Sequence, residues 1–300
     1  MILYIDENDE GKRLDNYLSE ITPDFSRSKI QNFIKSGSVK INNLNKKSSY
    51  ILKYGDKIDF EIPEQENLLL KPQDIKLDII YEDENMLVIN KPSGILTHPT
   101  AIERENTLVN ALLYKYGENL SSINGDFRRG ILHRLDRNTS GLLMIAKNNL
   151  AHEFLANQIK EHLITKKYRA IVKGVLEKEE FIIDEPIGRN PNQPHKMTVR
   201  ADGKPSMTKV KVLERFKDAT YLELELVTGR THQIRVHMNY IKHPIFNDTL
   251  YGAGMAKIKT EEQVLQSFYL RFTKPFGDEI MELQIEPDEK ITKVLKYLRS

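Results

Sequence analysis

A single carboxylate with a cation on either side is the clearest chemical feature of the sequence. Asp136 lies between Arg134 and Arg137, and a turn of small residues separates it from the apolar run 142–146, which is typical of a buried strand. Because nearby cations favour the charged form of a carboxyl group, Asp136 is expected to be ionised. An ionised carboxylate suits a nucleophile or a base, although an Arg-Leu-Asp triplet beside a strand is also typical of a structural ion pair.

The residues around Asp136 resemble a known enzyme motif. The stretch His-Arg-Leu-Asp at 133–136, followed by Thr-Ser-Gly at 139–141, is similar to the central motif of the RluA/RluD-type pseudouridine synthases. Asp136 stands at the position of their catalytic aspartate. The segment 167–174 resembles the motif whose tyrosine, here Tyr168, stacks on the target uracil. A flat ring near a carboxylate is also what holding a flipped base requires, and a core tyrosine is the alternative.

A third motif of the same family is present at 228–237, which reads Thr-Gly-Arg-Thr-His-Gln-Ile-Arg-Val-His. By this resemblance, Arg235 pairs with the catalytic aspartate. The sequence departs from the family pattern at Lys242 and Asn247, where glycines are usual, and at Tyr269, where histidine is common. These positions are peripheral to the carboxylate and concern the loops and the choice of RNA more than the chemistry.

The elements that must position these residues are predicted from hydrophobic spacing. Alternating strands, hairpins and isolated helices predict an α+β fold with a mixed, mostly antiparallel sheet. A helix is expected from the cap Thr107 to about Tyr116, and another at 231–243 with Thr231 as its cap. The stretch 186–209 is rich in proline, glycine and basic residues, so we predict a loop that faces either RNA or solvent.

Residues 1–62 are predicted to form a separate small unit. Apolar residues at helical spacing predict two helices, the second capped by Ser26, followed by strands whose alternating residues extend to Ile62. This order resembles the small RNA-binding domain named after a ribosomal small-subunit protein. Asn43 replaces a common turn glycine, and asparagine tolerates the positive φ that such a turn needs. A linker is predicted at 63–75 and the catalytic domain at 76–300.

Basic residues are concentrated in this small unit. From position 12 to position 57 there are ten lysines and arginines but four acids, an excess of six positive charges. Four of the basic residues cluster around the two predicted helices and are expected to bind RNA: Arg13, Arg27, Lys29 and Lys35. A solvated charged face is the alternative.

The composition narrows the class of protein. With no cysteine, the chain has no disulfide framework, zinc-thiolate site or thiol nucleophile. His232 and His237 are not at the i, i+4 spacing of a helical zinc pair, so no metal site is expected. We find neither a basic leader nor a stretch long enough to span a membrane, and we expect a cytoplasmic monomer without a membrane partner.

The resemblance implies isomerisation of specific uridines to pseudouridine in structured RNA, with large-subunit ribosomal RNA as the expected substrate and no cofactor. It implies that Asp136 acts as nucleophile or base, that Arg235 fixes and charge-balances it, and that Tyr168 stacks on the uracil. Arg134 would fill the space left by the flipped base, and Arg230 would bind RNA. The alternatives are a non-catalytic RNA-binding factor and a hydrolase of RNA glycosidic bonds.

Overall fold

The chain divides into two compact units, Met1–Leu69 and Leu70–Ser300. The computed structural model describes residues 1–7, 9–22, 25, 27–61, 70–100, 102–252 and 262–300. The boundary falls inside 63–75, the segment predicted to be a linker. Within that segment, 63–69 lie outside the described residues, and Leu70 is buried among core side chains of the second unit.

The first unit is a small α+β fold in which two helices pack on a sheet. Its helices are α1 (Leu14–Ile21) and α2 (Arg27–Ser36), and its strands are β1 (Ile2–Tyr4), β2 (Val39–Ile41), β3 (Leu44–Asn45) and β4 (Lys57–Phe60). The strands pair antiparallel in the order β1, β4, β2, β3. Their core combines side chains from both helices with side chains from the sheet, including Leu14, Leu18, Ile30, Ile34, Ile41, Ile58 and Phe60.

Both predicted helices of this unit are confirmed, and so is the predicted turn, because Asn43 has φ 64°. The sequence does not predict β1. Its terminal residues Ile2 and Tyr4 are 56% and 69% exposed, so the strand is fixed by backbone pairing with β4 and has no clear buried face. Ser26 and Ile62 lie outside the described residues, and the helix cap and final strand residue predicted there stay predictions.

The second unit is a large sheet with helices on both faces. Its helices are α3 (Leu108–Tyr116), α4 (Asn149–Lys160), α5 (Gln233–Tyr240) and α6 (Glu289–Arg299), with a 3-10 helix at Asp126–Arg128. Its strands are β5 (Ile79–Glu82), β6 (Met86–Lys91), β7 (Ser140–Ala146), β8 (Thr165–Lys173), β9 (Glu180–Asp184), β10 (Ile187–Arg189), β11 (Met197–Val199), β12 (Met207–Arg215), β13 (Ala219–Leu226), β14 (Leu265–Thr273) and β15 (Ile280–Gln284). Within the described ranges, no helix is long and apolar enough to cross a membrane.

The large sheet confirms the predicted fold class. Its strands follow the order β5, β6, β7, β14, β8, β13, β12, β9, and β15 also pairs with β14. Neighbouring strands are antiparallel except β7 and β14, which run parallel. At that pair a Cβ on Gly141, which has φ 115°, would lie 2.0 Å from the carbonyl oxygen of Ser267. Glycine is therefore required where the strand after the Asp136 segment enters the sheet.

β7 is buried along its whole length because both faces of the sheet are covered. Leu143 and Ile145 belong to a core shared with α3 and α5. Leu142 and Met144, on the opposite face of the strand, pack in a core with α4. This arrangement explains why the sequence 142–146 is continuously apolar instead of alternating.

The predicted start and end of α3 are confirmed, whereas the predicted bounds of α5 and the predicted loop at 186–209 are wrong. Thr107 caps α3 in a capping box with Asn110, and Gly117 follows the last turn. By contrast, α5 begins after His232, which has φ 57° and no capping hydrogen bond from its side chain, and it ends at Tyr240. Thr231 is therefore not the cap, and the helix is shorter than 231–243.

The stretch 186–209, predicted to be a loop, contains the antiparallel hairpin of β10 and β11 and the first residues of β12. The hairpin strands have three residues each and are only partly buried, so they leave a weak pattern in the sequence. In β12 the buried side chains begin with Thr208, a polar residue that conceals the alternation of the strand.

Candidate active site

A buried lysine holds the segment that carries Asp136. Lys91, the last residue of β6, is fully buried, and its ammonium group donates to the carbonyl oxygens of Pro92, Ile95 and Arg137 at 2.7, 2.9 and 3.0 Å. Burial lowers the pKa of Lys91 to about 7. The three hydrogen bonds use every N–H of an ammonium group. They join the loop after β6 to the peptide that follows Asp136.

The same loop makes further hydrogen bonds on both sides of Asp136. The Thr97 hydroxyl donates to the carbonyl oxygen of Leu135 at 2.8 Å, and the Gly94 amide donates to that of Arg137 at 3.0 Å. The Asp136 side chain keeps 17% of its surface exposed. Its backbone is thus fixed by neighbours while its carboxylate remains accessible.

One guanidinium connects Asp136 to a second carboxylate. Arg235 on α5 donates from Nη1 to Asp136 Oδ2 at 3.0 Å. From Nε and Nη2 it donates to the two carboxylate oxygens of Asp248, at 2.7 and 2.8 Å. Burial alone would lower the pKa of Arg235, but the two carboxylates, Asp248 above all, raise it above its usual value. The bidentate pairing fixes the plane of the guanidinium, and with it the direction from which Asp136 is bound.

The turn after α5 fixes Asp248 in its own place. The Asp248 side chain has no exposed surface, and Oδ1 accepts the backbone amides of Leu250 and Tyr251, both at 3.0 Å. The Tyr251 ring lies 5.1 Å from the guanidinium carbon of Arg235. Backbone, carboxylate and aromatic ring therefore immobilise Arg235 together.

His232 faces Asp136 from the start of α5. The Tyr251 hydroxyl accepts the Met197 amide at 2.8 Å and also lies 2.8 Å from His232 Nδ1. His232 Nε2 lies 3.8 Å from Asp136 Oδ1. Burial lowers the pKa of His232, although the charge of Asp136 acts in the opposite direction.

His237 lies away from this group and is bonded within the protein at both ring nitrogens. Nδ1 lies 2.9 Å from the Thr208 hydroxyl and Nε2 lies 3.0 Å from the carbonyl oxygen of Glu185. In the part of the chain that the structure describes, no group of three or more histidine or acidic side chains is arranged to hold a metal ion.

Asp136 opens into a cavity of about 500 Å³, referred to as the Asp136 cavity. Its lining includes His133, Arg134, Asp136, Lys160, Lys166, Tyr168 and Arg230.

Tyr168, on β8, is 5% exposed, and burial raises its pKa, so the phenol is neutral at physiological pH. Arg134 and Arg230 are exposed at this cavity, and Arg230 Nε donates to the carbonyl oxygen of Pro205 at 3.1 Å. The structure thus brings five sequence-predicted residues together in the second unit: Asp136, Tyr168, Arg235, Arg134 and Arg230.

The other four predicted site residues belong to the first unit. Arg13 and Arg27 both bond to Asp15, whose side chain has no exposed surface, with nitrogen to oxygen distances of 3.0 Å. The hydrogen bond from Arg13, more than any other contact, holds the pKa of Asp15 well below its usual range. The ammonium group of Lys29 lies 4.9 Å from the centre of the Phe25 ring, and Lys35 is exposed.

Sequence reasoning gave no role to Asp248, His232 or Lys91, although each touches or supports the Asp136 site. Lys91 had a usable signal, since it ends a strand that begins with four apolar residues, and Pro-Ser-Gly follows it. Asp248 had a weaker one, an acid two residues ahead of a Leu-Tyr-Gly turn. The contact that ties each of them to the Asp136 site joins residues far apart in sequence, so it could not be read from local spacing.

This fold and this site define an RNA-modifying enzyme. Residues 85–240 match the family described as RNA pseudouridylate synthase, and residues 12–58 match the S4 domain. The chain belongs to the RNA pseudouridylate synthase family, carries an S4 domain at its N-terminal end, and has RNA as its partner.

Relatives match over nearly the whole chain. The uncharacterized RNA pseudouridine synthase YlyB of Bacillus subtilis is 41% identical over 98% of this chain and 96% of its own length. Ribosomal large subunit pseudouridine synthase D of Zymomonas mobilis is 37% identical over 96% of this chain and 94% of its own length. The solved structure of human RNA pseudouridylate synthase domain containing 1 has a TM-score of 0.59 at 26% identity, covering 76% of this chain and 96% of that one.

Removing the second carboxylate should destabilise the enzyme strongly. Asp248→Ala leaves the buried guanidinium of Arg235 without its bidentate partner, and breaking such a pair costs about 3 to 5 kcal/mol. For a unit of this size that corresponds to a fall of roughly 6 to 20 °C in the thermal midpoint followed by circular dichroism. Glu225→Ala is the control, because Glu225 pairs with half-exposed Lys209 at the surface, and such a pair contributes about 0 to 1 kcal/mol. Equal midpoints for the two variants would contradict the role given to Asp248.

Proposed function

We propose that this pseudouridine synthase isomerises uridines in large-subunit ribosomal RNA, with Asp136 as the reacting carboxylate and without a cofactor. The observation that carries the proposal is the ion pair of Arg235 with Asp136 at 3.0 Å, at the edge of a cavity that also contains Tyr168. The substrate class rests on relatives named ribosomal large subunit pseudouridine synthase D, which are 35% and 37% identical to this chain.

The reaction needs no external reactant. The bond from the sugar to N1 of uracil breaks, a bond from the same carbon to C5 forms, and the hydrogen lost from C5 is balanced by a proton gained at N1. Because atoms and electrons balance within the nucleotide, no oxidant, reductant or group donor is required. Asp136 acts on the sugar or the base as nucleophile, or on the sugar as base, and Arg235 charge-balances it throughout.

Tyr168 and the cavity suit a base that has left its helix. A volume of about 500 Å³ is within the range of roughly 300 to 1,000 Å³ usual for small-molecule sites. The ring of Tyr168 supplies a stacking surface, and Arg134, exposed beside the cavity, occupies the space that the flipped base leaves in the RNA. Arg230 contacts RNA at the same opening.

A hydrolase of glycosidic bonds is disfavoured by the same lining. Such enzymes place two carboxylates about the scissile bond, one of which activates water or forms the intermediate. Among the described residues that line the Asp136 cavity, Asp136 is the single acidic side chain.

The S4 domain positions the RNA in this proposal. Asp15 holds the guanidiniums of Arg13 and Arg27 side by side, with 41% and 52% of their side chains exposed. Lys29 and Lys35 add charge on α2. These four cations neutralise RNA phosphates, which accounts for the excess of positive charge in this part of the chain.

Asp136→Asn should abolish pseudouridine formation while leaving the fold and RNA binding intact, because the amide keeps the shape and removes the charge. Loss of a residue central to the chemistry reduces turnover by roughly 10⁴-fold or more. Nucleosides from digested large-subunit ribosomal RNA, separated by chromatography, measure the product. Asp278→Asn, in an exposed turn, is the control. Asp136→Asn activity within a few-fold of wild type would refute the proposed mechanism.

Two substitutions at Tyr168 separate stacking from hydroxyl chemistry. Tyr168→Phe keeps the ring and should retain most RNA binding and part of the activity, whereas Tyr168→Ala should lose both. A stacked base contributes about 1 to 3 kcal/mol by alanine substitution in single-strand binders. Binding constants and single-turnover rates check the pair. Equal losses in both variants would assign the role to the hydroxyl group instead.

Removing residues 1–62 tests the contribution of the first unit. The truncated protein keeps the second unit with its own core and Asp136 site, so it should fold and retain slow turnover on saturating RNA. Its affinity should fall, and each lost phosphate contact should flatten the slope of log affinity against log salt by roughly 0.7 to 0.9. Unchanged affinity and slope would mean that the lysines and arginines of this unit form only a solvated face.

A further inference from the structure

Lys166 is a buried cation on the strand that carries Tyr168. The two residues are separated by one position in β8, so their side chains leave the same face of the sheet, and both line the Asp136 cavity. The Lys166 side chain is 8% exposed. Lys167, between them, points to the other face, where it pairs with Glu223 at 2.8 Å.

The ammonium group of Lys166 lacks a partner within the described part of the protein. It forms no hydrogen bond and no ion pair there, unlike Lys91, whose three N–H groups are all bonded. Burial lowers the pKa of Lys166, and no carboxylate of the described residues raises it. The nitrogen itself is not fully enclosed, so it meets the open space of the cavity while the rest of the residue is buried. Lysine is rarely buried to this extent without a partner, because a charge is costly to remove from water.

The charges around the cavity favour an anionic partner. Asp136 is the one acid among the described residues of the lining, and Arg235, which it shares with Asp248, offsets part of its charge. Arg134 and Arg230 line the same space and carry positive charge. An ammonium group in this setting offers three donors and accepts none, which suits an oxyanion best.

We propose that Lys166 binds a backbone phosphate of the RNA, the phosphodiester next to the uridine that enters the Asp136 cavity. This inference rests on the proposed function, since it takes the flipped nucleotide as the occupant of the cavity. The uracil ring is neutral and its carbonyl oxygens are weaker acceptors. The phosphodiester is an anion, so it can pair with the ammonium group of Lys166. The contact would place the nucleotide along β8, with the base on Tyr168 and the phosphate on Lys166.

Lys166→Met tests the assignment, with Lys167→Met as the matched control one residue away on the opposite face. The probe is large-subunit ribosomal RNA transcribed in vitro. Lys166→Met should weaken binding or raise KM by about tenfold or more, because a hydrogen bond to a charged group is lost. It should also flatten the slope of log affinity against log salt by roughly 0.7 to 0.9, while Lys167→Met leaves both unchanged.

Two further measurements complete the test. The thermal midpoint of Lys166→Met should equal or exceed that of wild type, because an uncompensated buried charge is replaced by an apolar chain of similar length. Lys166→Arg keeps a cation and should preserve the salt slope.

A wild-type salt slope for Lys166→Met, even with reduced turnover, would overturn the phosphate assignment and point to the uracil carbonyls. Wild-type enzyme that makes no pseudouridine in this transcript would contradict the proposed substrate, while the binding slopes would still decide the role of Lys166.

Discussion

The candidate active site depends on one interaction, the pairing of the Arg235 guanidinium with both Asp136 and Asp248. A buried cation of this kind is tolerable only when its charge is compensated, and here two carboxylates from separate segments bond each of its three nitrogens. Asp248 is fixed by the turn after α5 and sets the position of the guanidinium. Asp136 is fixed by the loop that Lys91 anchors and presents its second oxygen to the cavity. Two independent parts of the fold therefore set the geometry of the carboxylate that we propose to react.

A charged group shared by two partners of opposite charge also occurs elsewhere in the chain. In the S4 domain, buried Asp15 is the shared group and two arginines converge on it, so their guanidiniums are aligned at the surface. In the catalytic unit, Arg235 is the shared group and the carboxylates converge. Lys166 is the contrasting case, a largely buried cation that has no partner among the residues that the structure describes. Satisfied charges build the scaffold of the enzyme, and the unsatisfied one marks where a ligand belongs.

Sequence signals that are local predict secondary-structure elements well. Features that depend on contacts between distant residues are not predicted. Thr107 and Gly117 bound α3 as expected, because a capping box and a glycine stop are local features. The central strand β14 was missed because Gln266 and Ser267 are fully buried yet polar, each bonded to a backbone carbonyl that only the folded sheet supplies. Resemblance to a family located Arg235 in the chain, but Asp248, its second partner, could be identified only from the fold.

The separation of Asp136 and Arg235 in the chain has a consequence for biosynthesis. They are 99 residues apart, so a ribosome adding about 5 to 20 residues per second makes Arg235 roughly 5 to 20 s after Asp136. The core of the S4 domain is complete by Phe60, long before either residue emerges. Under the proposed mechanism, each newly made chain therefore acquires an RNA-binding module first and the pair of Asp136 and Arg235 last, and it passes through an interval in which it is able to hold RNA but not modify it.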